Sequence, residues 1–109
     1  MKKAPRHSRQ RYEARAAIAK ALAHPTRLIL LEALSDKEMC VCDLTDLVGA
    51  DQSTVSKHLA VLKQAGLVED RKKGVMAFYR VKVCCLNEFW ACLETVLAAN
   101  LKAQQAVLR

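Results

Sequence analysis

Apolar residues recur every three or four positions along most of this chain, which is the spacing of helices with one buried face. One such stretch covers residues 9–22, and the next runs from Pro25 to Leu34. His24 and Pro25 separate the two helices, because proline fits the first turn of a helix but interrupts its interior. In the second helix, the spacing predicts four core side chains: Leu28, Ile29, Leu31 and Leu34.

The stretch from Cys40 to Gly66 predicts two helices joined by a tight corner, with the helical pair at residues 43–65. Gly49 can turn the chain with a positive φ, and Asp51 can cap the second helix. The expected buried positions are Leu44, Leu47 and Val48 in the first helix and Val55, Leu59 and Leu62 in the second.

Five polar residues project from the first turns of this second helix: Gln52, Ser53, Thr54, Ser56 and Lys57. A helix-turn-helix presents such a surface to base edges and phosphates in a major groove. An ordinary helical hairpin with a solvated face would share the pattern.

Residues 67–82 predict a β-hairpin, because side chains alternate with a period of two from Val75 to Val81. Lys72, Lys73 and Gly74 are expected to form its turn, and the tip would carry three cations: Arg71, Lys72 and Lys73. A hairpin directly after a helix-turn-helix is a wing, and a basic tip suits backbone phosphates. The alternative is a solvated turn whose charge only maintains solubility. The predicted fold is therefore mostly α with a small β-hairpin, a winged helix-turn-helix.

Residues 85–105 predict a last helix whose apolar surface is wider than one face of so small a domain needs. Together with the helix at residues 9–22, it is expected to pair two chains as a homodimer. A two-fold dimer places its recognition helices on successive turns of the major groove, which predicts a palindromic operator in double-stranded DNA. The alternative is that Trp90 and its neighbours only cover the core of a single chain.

Composition narrows the class of protein and of partner. The chain has 109 residues, 52% of them apolar and 27% charged, which predicts one globular domain at residues 1–109. The net charge of +7 favours an anionic partner, and residues 1–8 are expected to form a flexible basic arm. Because no apolar run could cross a bilayer and no signal peptide is evident, we expect a cytoplasmic protein without a membrane partner. Its five cysteines are then expected to be thiols.

Several phrases of the sequence are shared with a known family. CVCDL at residues 40–44, QSTVSKHLAVLKQAGLV at 52–68 and GVMAFYRV at 74–81 resemble the ArsR/SmtB family of winged-helix, metal-responsive repressors. The resemblance implies a homodimer that occupies an operator and releases it when a metal or metalloid binds. It also places His58 on the DNA-reading helix, where a packing role is an equal alternative. His24 is interpreted as a helix-start residue.

Cysteine spacing indicates the class of inducer. CVCDL resembles the phrase of arsenic-responsive members and also that of cadmium- or lead-responsive ones, and the resemblance implies that Cys40 caps the short helix and Cys42 lies in its first turn. Two residues apart on a regular helix, these thiols point away from each other, so a shared ion would reshape the start of that helix. The predicted inducer is trivalent arsenic or antimony, As(III) or Sb(III), with no organic cofactor.

The third sulfur that trivalent arsenic favours must come from elsewhere, because Thr45 stands where enteric arsenic-responsive relatives have a cysteine. We hypothesise that Cys85 or Cys92 supplies it, with Cys84 as a further candidate. Cys85 and Cys92 would lie about 10.5 Å apart along one helix, too far for both to join one ion. For Cys92, packing in the core is the alternative.

Competing functions are weighed on the same residues. The resemblance also implies where other members would hold their metals. Zinc sites of the family use histidine, aspartate and glutamate on the last helix, which has no histidine here, and cadmium or lead sensors add cysteines from the N-terminal arm, which has none here, so both are disfavoured. A repressor of the same fold that responds to thiol oxidation or persulfide stays open. A small thiol-redox enzyme or metal carrier is disfavoured because the chain has no CxxC, HExxH or glycine-rich phosphate loop. No enzymatic activity is therefore predicted.

Overall fold

The computed structural model describes residues 3–108, which form five helices and three strands. The helices are α1 (Arg9–Leu22), α2 (Pro25–Asp36), α3 (Val41–Val48), α4 (Gln52–Gln64) and α5 (Leu86–Val107). The strands are β1 (Met39–Cys40), β2 (Val68–Lys73) and β3 (Met76–Val81). The predicted basic arm includes Met1 and Lys2, which lie outside the described residues.

Local hydrogen bonds set the helix boundaries. The Nδ1 atom of His24 accepts a bond from the backbone N–H of Thr26 (3.1 Å), so this histidine starts α2 as predicted. Asp51 caps α4 by accepting from the backbone N–H of Thr54 (2.7 Å), and Gly49 ends α3 with a φ of 76°. The predicted corner between two helices is therefore confirmed. Helix α3 begins at Val41, directly after the Cys40 cap that the resemblance implied and two residues before the predicted range 43–65.

The core is formed where α2, α3 and α4 meet the start of β2. Val55, Leu59 and Leu62 of α4 are fully buried, as their spacing predicts. Burial of three such side chains stabilises the fold by about 1.5–3 kcal/mol each.

Two predicted core positions are wrong. Leu47 is 53% exposed and Ile29 is 45% exposed. In α2, Leu31 and Leu34 are buried as predicted, and Leu30 rather than Ile29 completes the buried face. An uninterrupted run of apolar residues does not reveal which of its members faces inward.

The three strands form one antiparallel sheet in the order β1-β3-β2. Lys73 pairs with Met76, so the hairpin turn consists of Gly74 and Val75, with a φ of 65° at Gly74. The predicted turn at Lys72-Lys73-Gly74 is therefore right for Gly74 but wrong for both lysines, which belong to β2. Strand β1 was not predicted, and its residues Met39 and Cys40 pair with Tyr79 and Phe78 of β3.

The last helix begins after Cys85, which has a left-handed backbone with a φ of 72°. The prediction that Cys85 starts this helix is thus wrong by one residue, and α5 continues to Val107 rather than ending near residue 105. No residue of α5 is fully buried, and α1 buries only Ala21. Among the helices of residues 3–108, none combines the length and apolar character that crossing a membrane requires.

Candidate functional site

The first turns of α4 present the predicted polar surface. Four of its side chains are exposed, and Thr54 is half-buried; the exposed ones are Gln52, Ser53, Ser56 and Lys57. Asp51 orders this end of the helix by accepting bonds from the backbone of Thr54 and from Oγ of Ser53 (2.8 Å). The bond from the Thr54 backbone is the main cause that lowers the pKa of Asp51. The cap therefore stays ionised at neutral pH and holds donors and acceptors at the exposed end of the helix.

His58 of the same helix faces the start of α2. Its ring centroid lies 4.4 Å from that of His24, and its Nδ1 atom lies 3.2 Å from Nη1 of Arg27. Burial, followed by the charges of His24 and Arg27, lowers the pKa of His58. A neutral imidazole can accept the hydrogen bond that the arginine donates. This geometry favours the packing role for His58 over contact with DNA.

Two ion pairs attach the wing to the rest of the domain. Nε of Arg71 lies 2.9 Å from Oε1 of Glu38, which precedes β1, and Nζ of Lys63 at the end of α4 lies 2.7 Å from Oδ1 of Asp70. The hydrogen bond from Arg71 is the main cause that lowers the pKa of Glu38. Arg71 is thus engaged by Glu38 in the middle of β2, whereas Lys72 and Lys73, nearer the turn, have exposed side chains.

The cysteines of the CVCDL phrase lie where the resemblance implied. Cys40 caps α3, and its sulfur accepts a hydrogen bond from the backbone N–H of Asp43 at 3.4 Å. Its side chain is only 4% exposed, and its backbone belongs to β1. Cys42, in the first turn of α3, is exposed. Reshaping the start of α3 would therefore break a strand pairing as well as a helix cap.

The other cysteines lie near or on α5, and all three are exposed. The sulfurs of Cys84 and Cys85 are 3.3 Å apart, whereas Cys92 lies two turns into the helix. Within residues 3–108, no three His, Cys, Asp or Glu side chains are grouped closely enough to hold a metal ion. The fold of one chain thus does not bring Cys40, Cys42 and either Cys85 or Cys92 together.

Comparison with known proteins identifies the family. A model described as "Bacterial regulatory protein, arsR family" matches residues 24–70, which run from the start of α2 into β2. An uncharacterised HTH-type transcriptional regulator of Methanocaldococcus jannaschii is 44% identical over 73 residues, covering 66% of this chain and 82% of that protein. The chain belongs to the ArsR family.

Two further similarities cover more of this ArsR-family chain. The arsenical resistance operon repressor of Escherichia coli K12 is 38% identical over 91 residues, covering 76% of this chain and 78% of that protein. The solution structure of a homodimeric winged helix-turn-helix DNA-binding domain from Mycobacterium bovis has a TM-score of 0.72 and 28% identity, covering 92% of this chain and 95% of that one. The winged helix-turn-helix prediction is therefore confirmed.

A trivalent metalloid that requires three sulfurs does not fit the ArsR-family chain as it is folded. Cys40 is buried and its sulfur is occupied by the helix cap, and within residues 3–108 no group of three ligating side chains includes Cys42. Among the cysteines of residues 3–108, Cys84 and Cys85 are the pair whose sulfurs are in contact. A three-sulfur site would need a rearrangement of α3 or a second chain.

Two residues that position the surface, Glu38 and Arg27, were missed by sequence reasoning. Glu38 fixes Arg71 across 33 positions, and Arg27 joins the recognition helix through His58 while donating to the carbonyl of Ala21 (2.6 Å). The residue types alone do not predict these contacts, because exposed charged residues are common and their partners lie far away in the sequence. The available signal for Arg27 was the segment AHPTR at residues 23–27, which the resemblance to the ArsR/SmtB family also covers.

Proposed function

We propose that this protein is a dimeric, sequence-specific transcriptional repressor that consists of one winged helix-turn-helix domain and acts in the cytoplasm. The observation that carries the proposal is the ordered, exposed first turn of α4, where Gln52, Ser53, Ser56 and Lys57 surround a capped helix end. These side chains, with half-buried Thr54, are the proposed base and phosphate contacts. Lys72 and Lys73 of the wing are the proposed backbone contacts.

Dimerisation through α1 and α5 is supported by their uncovered apolar side chains. Ile18 on α1 and Val96, Leu97 and Leu101 on α5 are 43–59% exposed in a single chain. The similar domain from M. bovis is a homodimer in solution. A two-fold dimer of this chain would read two half-sites about 34–36 Å apart, which corresponds to a palindromic operator.

The proposed inducer is a thiophilic metalloid, trivalent arsenic or antimony. Support comes from the similarity to the E. coli arsenical resistance operon repressor and from five free thiols. The candidate ligands are Cys40, Cys42, Cys85 and Cys92. Because one chain does not group three of them, a site built from this set would depend on the second chain or on a change at α3.

A gel-shift assay on the DNA upstream of the protein's own gene tests both parts of the proposal. Purified protein is expected to bind that DNA and not a scrambled duplex, with an affinity that falls steeply as salt rises. Arsenite or antimonite should release the DNA at lower concentration than cadmium, lead or zinc. Failure to bind specifically would contradict the repressor function itself.

Serine variants of each candidate ligand then test the metalloid site. Cys40→Ser and Cys42→Ser are expected to bind the operator normally but to require at least about tenfold more arsenite for its release. The same result is expected for Cys85→Ser or Cys92→Ser, whichever of the two residues supplies the third sulfur. A normal arsenite response in every single variant and in a variant lacking both Cys84 and Cys85 would contradict this ligand set.

A further inference from the structure

Three helices meet at the side chain of Arg27, which lies near the start of α2. Its Nε atom donates to the carbonyl oxygen of Ala21 (2.6 Å) and its Nη2 atom to that of Lys20 (3.3 Å), both in the last turn of α1. Its Nη1 atom lies 3.2 Å from Nδ1 of His58 in α4. One guanidinium therefore joins a proposed dimerisation helix, α1, to the proposed recognition helix, α4.

The end of α1 supplies acceptors that need a donor. The last four carbonyls of a helix have no hydrogen-bond partner within it. Pro25, four positions after Ala21, has no N–H to offer, so the guanidinium of Arg27 takes that place. A cation also suits the negative end of the helix dipole. Arg27 therefore completes the C-terminal end of α1 while it contacts α4.

The rest of α1 packs too loosely on the domain to fix its own direction. Within residues 3–108, Ala21 is the only buried side chain of this helix. Before it, a groove of about 590 Å³ lies between α1 and the end of α4, and its lining includes Ala17, Ile18, Val61 and Gln64. The angle between the two helices therefore depends on the contacts at the end of α1, which include the three made by Arg27.

A small change in this angle is large on the scale of DNA. Helix α4 begins at Gln52, six residues before His58, or about 9 Å along the axis. A tilt of about 10° at His58 would move that first turn by about 1.6 Å, and the two-fold axis of a dimer doubles the change to about 3 Å. One base pair adds about 3.4 Å to the length of the duplex. Such a tilt thus corresponds to about one base pair between half-sites.

We propose that Arg27 is a positioning residue that sets the distance between the two recognition helices of the dimer, and with it the half-site spacing that the protein accepts. This inference rests on the proposed function as a dimeric repressor and assigns one determinant of its operator. The planar guanidinium holds its donors in one fixed arrangement, which a lysine ammonium cannot reproduce. All three of its nitrogens are engaged within the protein, so Arg27 acts on DNA through His58 and α4.

Fluorescence anisotropy on a set of operator duplexes tests the assignment. The set contains the operator upstream of the protein's own gene, located by footprinting, derivatives with one or two base pairs removed or inserted at its centre, and a duplex with a single half-site. The full-length wild type should prefer one spacing by at least about tenfold. Arg27→Lys should reduce this preference to about threefold or less, or move its optimum, because the fork of donors is lost. It should bind the single half-site as the wild type does, since the reading face of α4 is unchanged.

Three further variants serve as controls and as an independent test. Arg80→Lys makes the same substitution at an arginine whose Nε lies 2.6 Å from Oε1 of Glu69 within the wing, and it should keep the wild-type preference. His58→Gln retains an acceptor for Arg27 and should keep it too, whereas His58→Leu removes the acceptor and should lose it. Circular dichroism measures the helix content of each variant. If Arg27→Lys does not fold, the comparison of the two His58 variants decides.

Three results would overturn the assignment. A wild-type spacing preference in Arg27→Lys or in His58→Leu would show that other contacts fix α4. An equal loss of affinity for every duplex, the single half-site included, would show that Arg27 only supports the fold of the recognition helix. A slope of log K against log salt that falls by about 1 in Arg27→Gln would mean that Arg27 contacts a phosphate.

The same duplexes separate this inference from the function on which it rests. A wild type that binds none of them, or that shows no preferred spacing, contradicts the dimeric repressor and this inference together. A wild type that prefers one spacing, together with an Arg27→Lys variant that shares that preference, contradicts the role of Arg27 alone.

Discussion

The backbone of Cys40 pairs with that of Phe78, so the residue that caps α3 also belongs to the sheet that carries the wing. Any change at the start of α3 therefore acts on two parts of the proposed DNA-binding surface. It acts on α4 through the corner at Gly49, and on the wing through β3. The sequence phrase CVCDL indicated only the first of these connections.

The capping role of Cys40 predicts how substitutions affect stability. Cys40→Val keeps an apolar side chain but cannot accept the hydrogen bond from the Asp43 backbone, so it should lower the free energy of unfolding by about 1 kcal/mol. Cys40→Ser retains an acceptor and should lose less. Urea denaturation measures both differences, and a valine variant as stable as the serine variant would show that the sulfur does not stabilise α3.

The engagement of Arg71 by Glu38 predicts unequal roles for the three cations of the wing. Lys72→Ala and Lys73→Ala should each reduce the slope of log K for operator binding against log salt by about 1. Arg71→Ala should change this slope much less, because Glu38 already neutralises the guanidinium.

Fluorescence anisotropy with operator DNA over a range of salt concentrations provides the slopes. Glu38→Gln is the informative companion variant, because it releases Arg71 and should steepen the dependence on salt. A slope for Arg71→Ala equal to those of the lysine variants would mean that Arg71 exchanges Glu38 for a phosphate when the protein binds DNA.

The features predicted correctly from sequence are those that depend on neighbouring residues. The cap of Asp51, the turn at Gly49 and the buried stripe of α4 all arise from residues within a few positions of each other. Their chemistry is therefore visible in a short window of sequence. The same holds for the helix start at His24.

The features that were missed depend on partners far away in the chain. Strand β1 has only two residues and exists because β3 pairs with it, and Arg71 is held by a glutamate 33 positions earlier. The sequence did not predict the left-handed backbone of Cys85 either, because glycine rather than cysteine normally adopts that conformation. The contact between the sulfurs of Cys84 and Cys85 follows from this backbone, so it could not be predicted from the sequence either.

The environment of His58 predicts a loss of stability in mild acid. The folded-state pKa of His58 lies below its ordinary value of 6.5, first because of burial and then because of His24 and Arg27. The unfolded chain thus binds a proton more readily than the folded one. The stability that this group contributes is present above about pH 6.5 and is lost as the pH falls through the folded-state pKa.

Urea denaturation from about pH 8 to about pH 5 measures this effect against His58→Gln, which keeps a hydrogen-bond acceptor but does not titrate. The difference in unfolding free energy between the wild type and the variant should shrink as the pH falls. A difference that stays constant over this range would contradict the assignment of His58 to a neutral packing role.

The uncovered apolar face of α5 predicts that one charge can separate the dimer. Leu97 is 59% exposed in a single chain, so Leu97→Glu removes little from the core of that chain but places a carboxylate in the proposed interface. It should raise the dissociation constant of the dimer at least about tenfold, as burial of an unpaired charge at an interface does. Analytical ultracentrifugation measures the dimer, and circular dichroism measures helix content.

Lys102→Glu is the matched control for this variant, because it places the same side chain on the same helix about 140° around the axis from Leu97. It should leave the dimer intact. Operator binding should weaken with Leu97→Glu and persist with Lys102→Glu, since a palindrome is read tightly only by two joined recognition helices. If Leu97→Glu remains dimeric with unchanged helix content, the chains pair through another surface and the exposed face of α5 needs a different explanation.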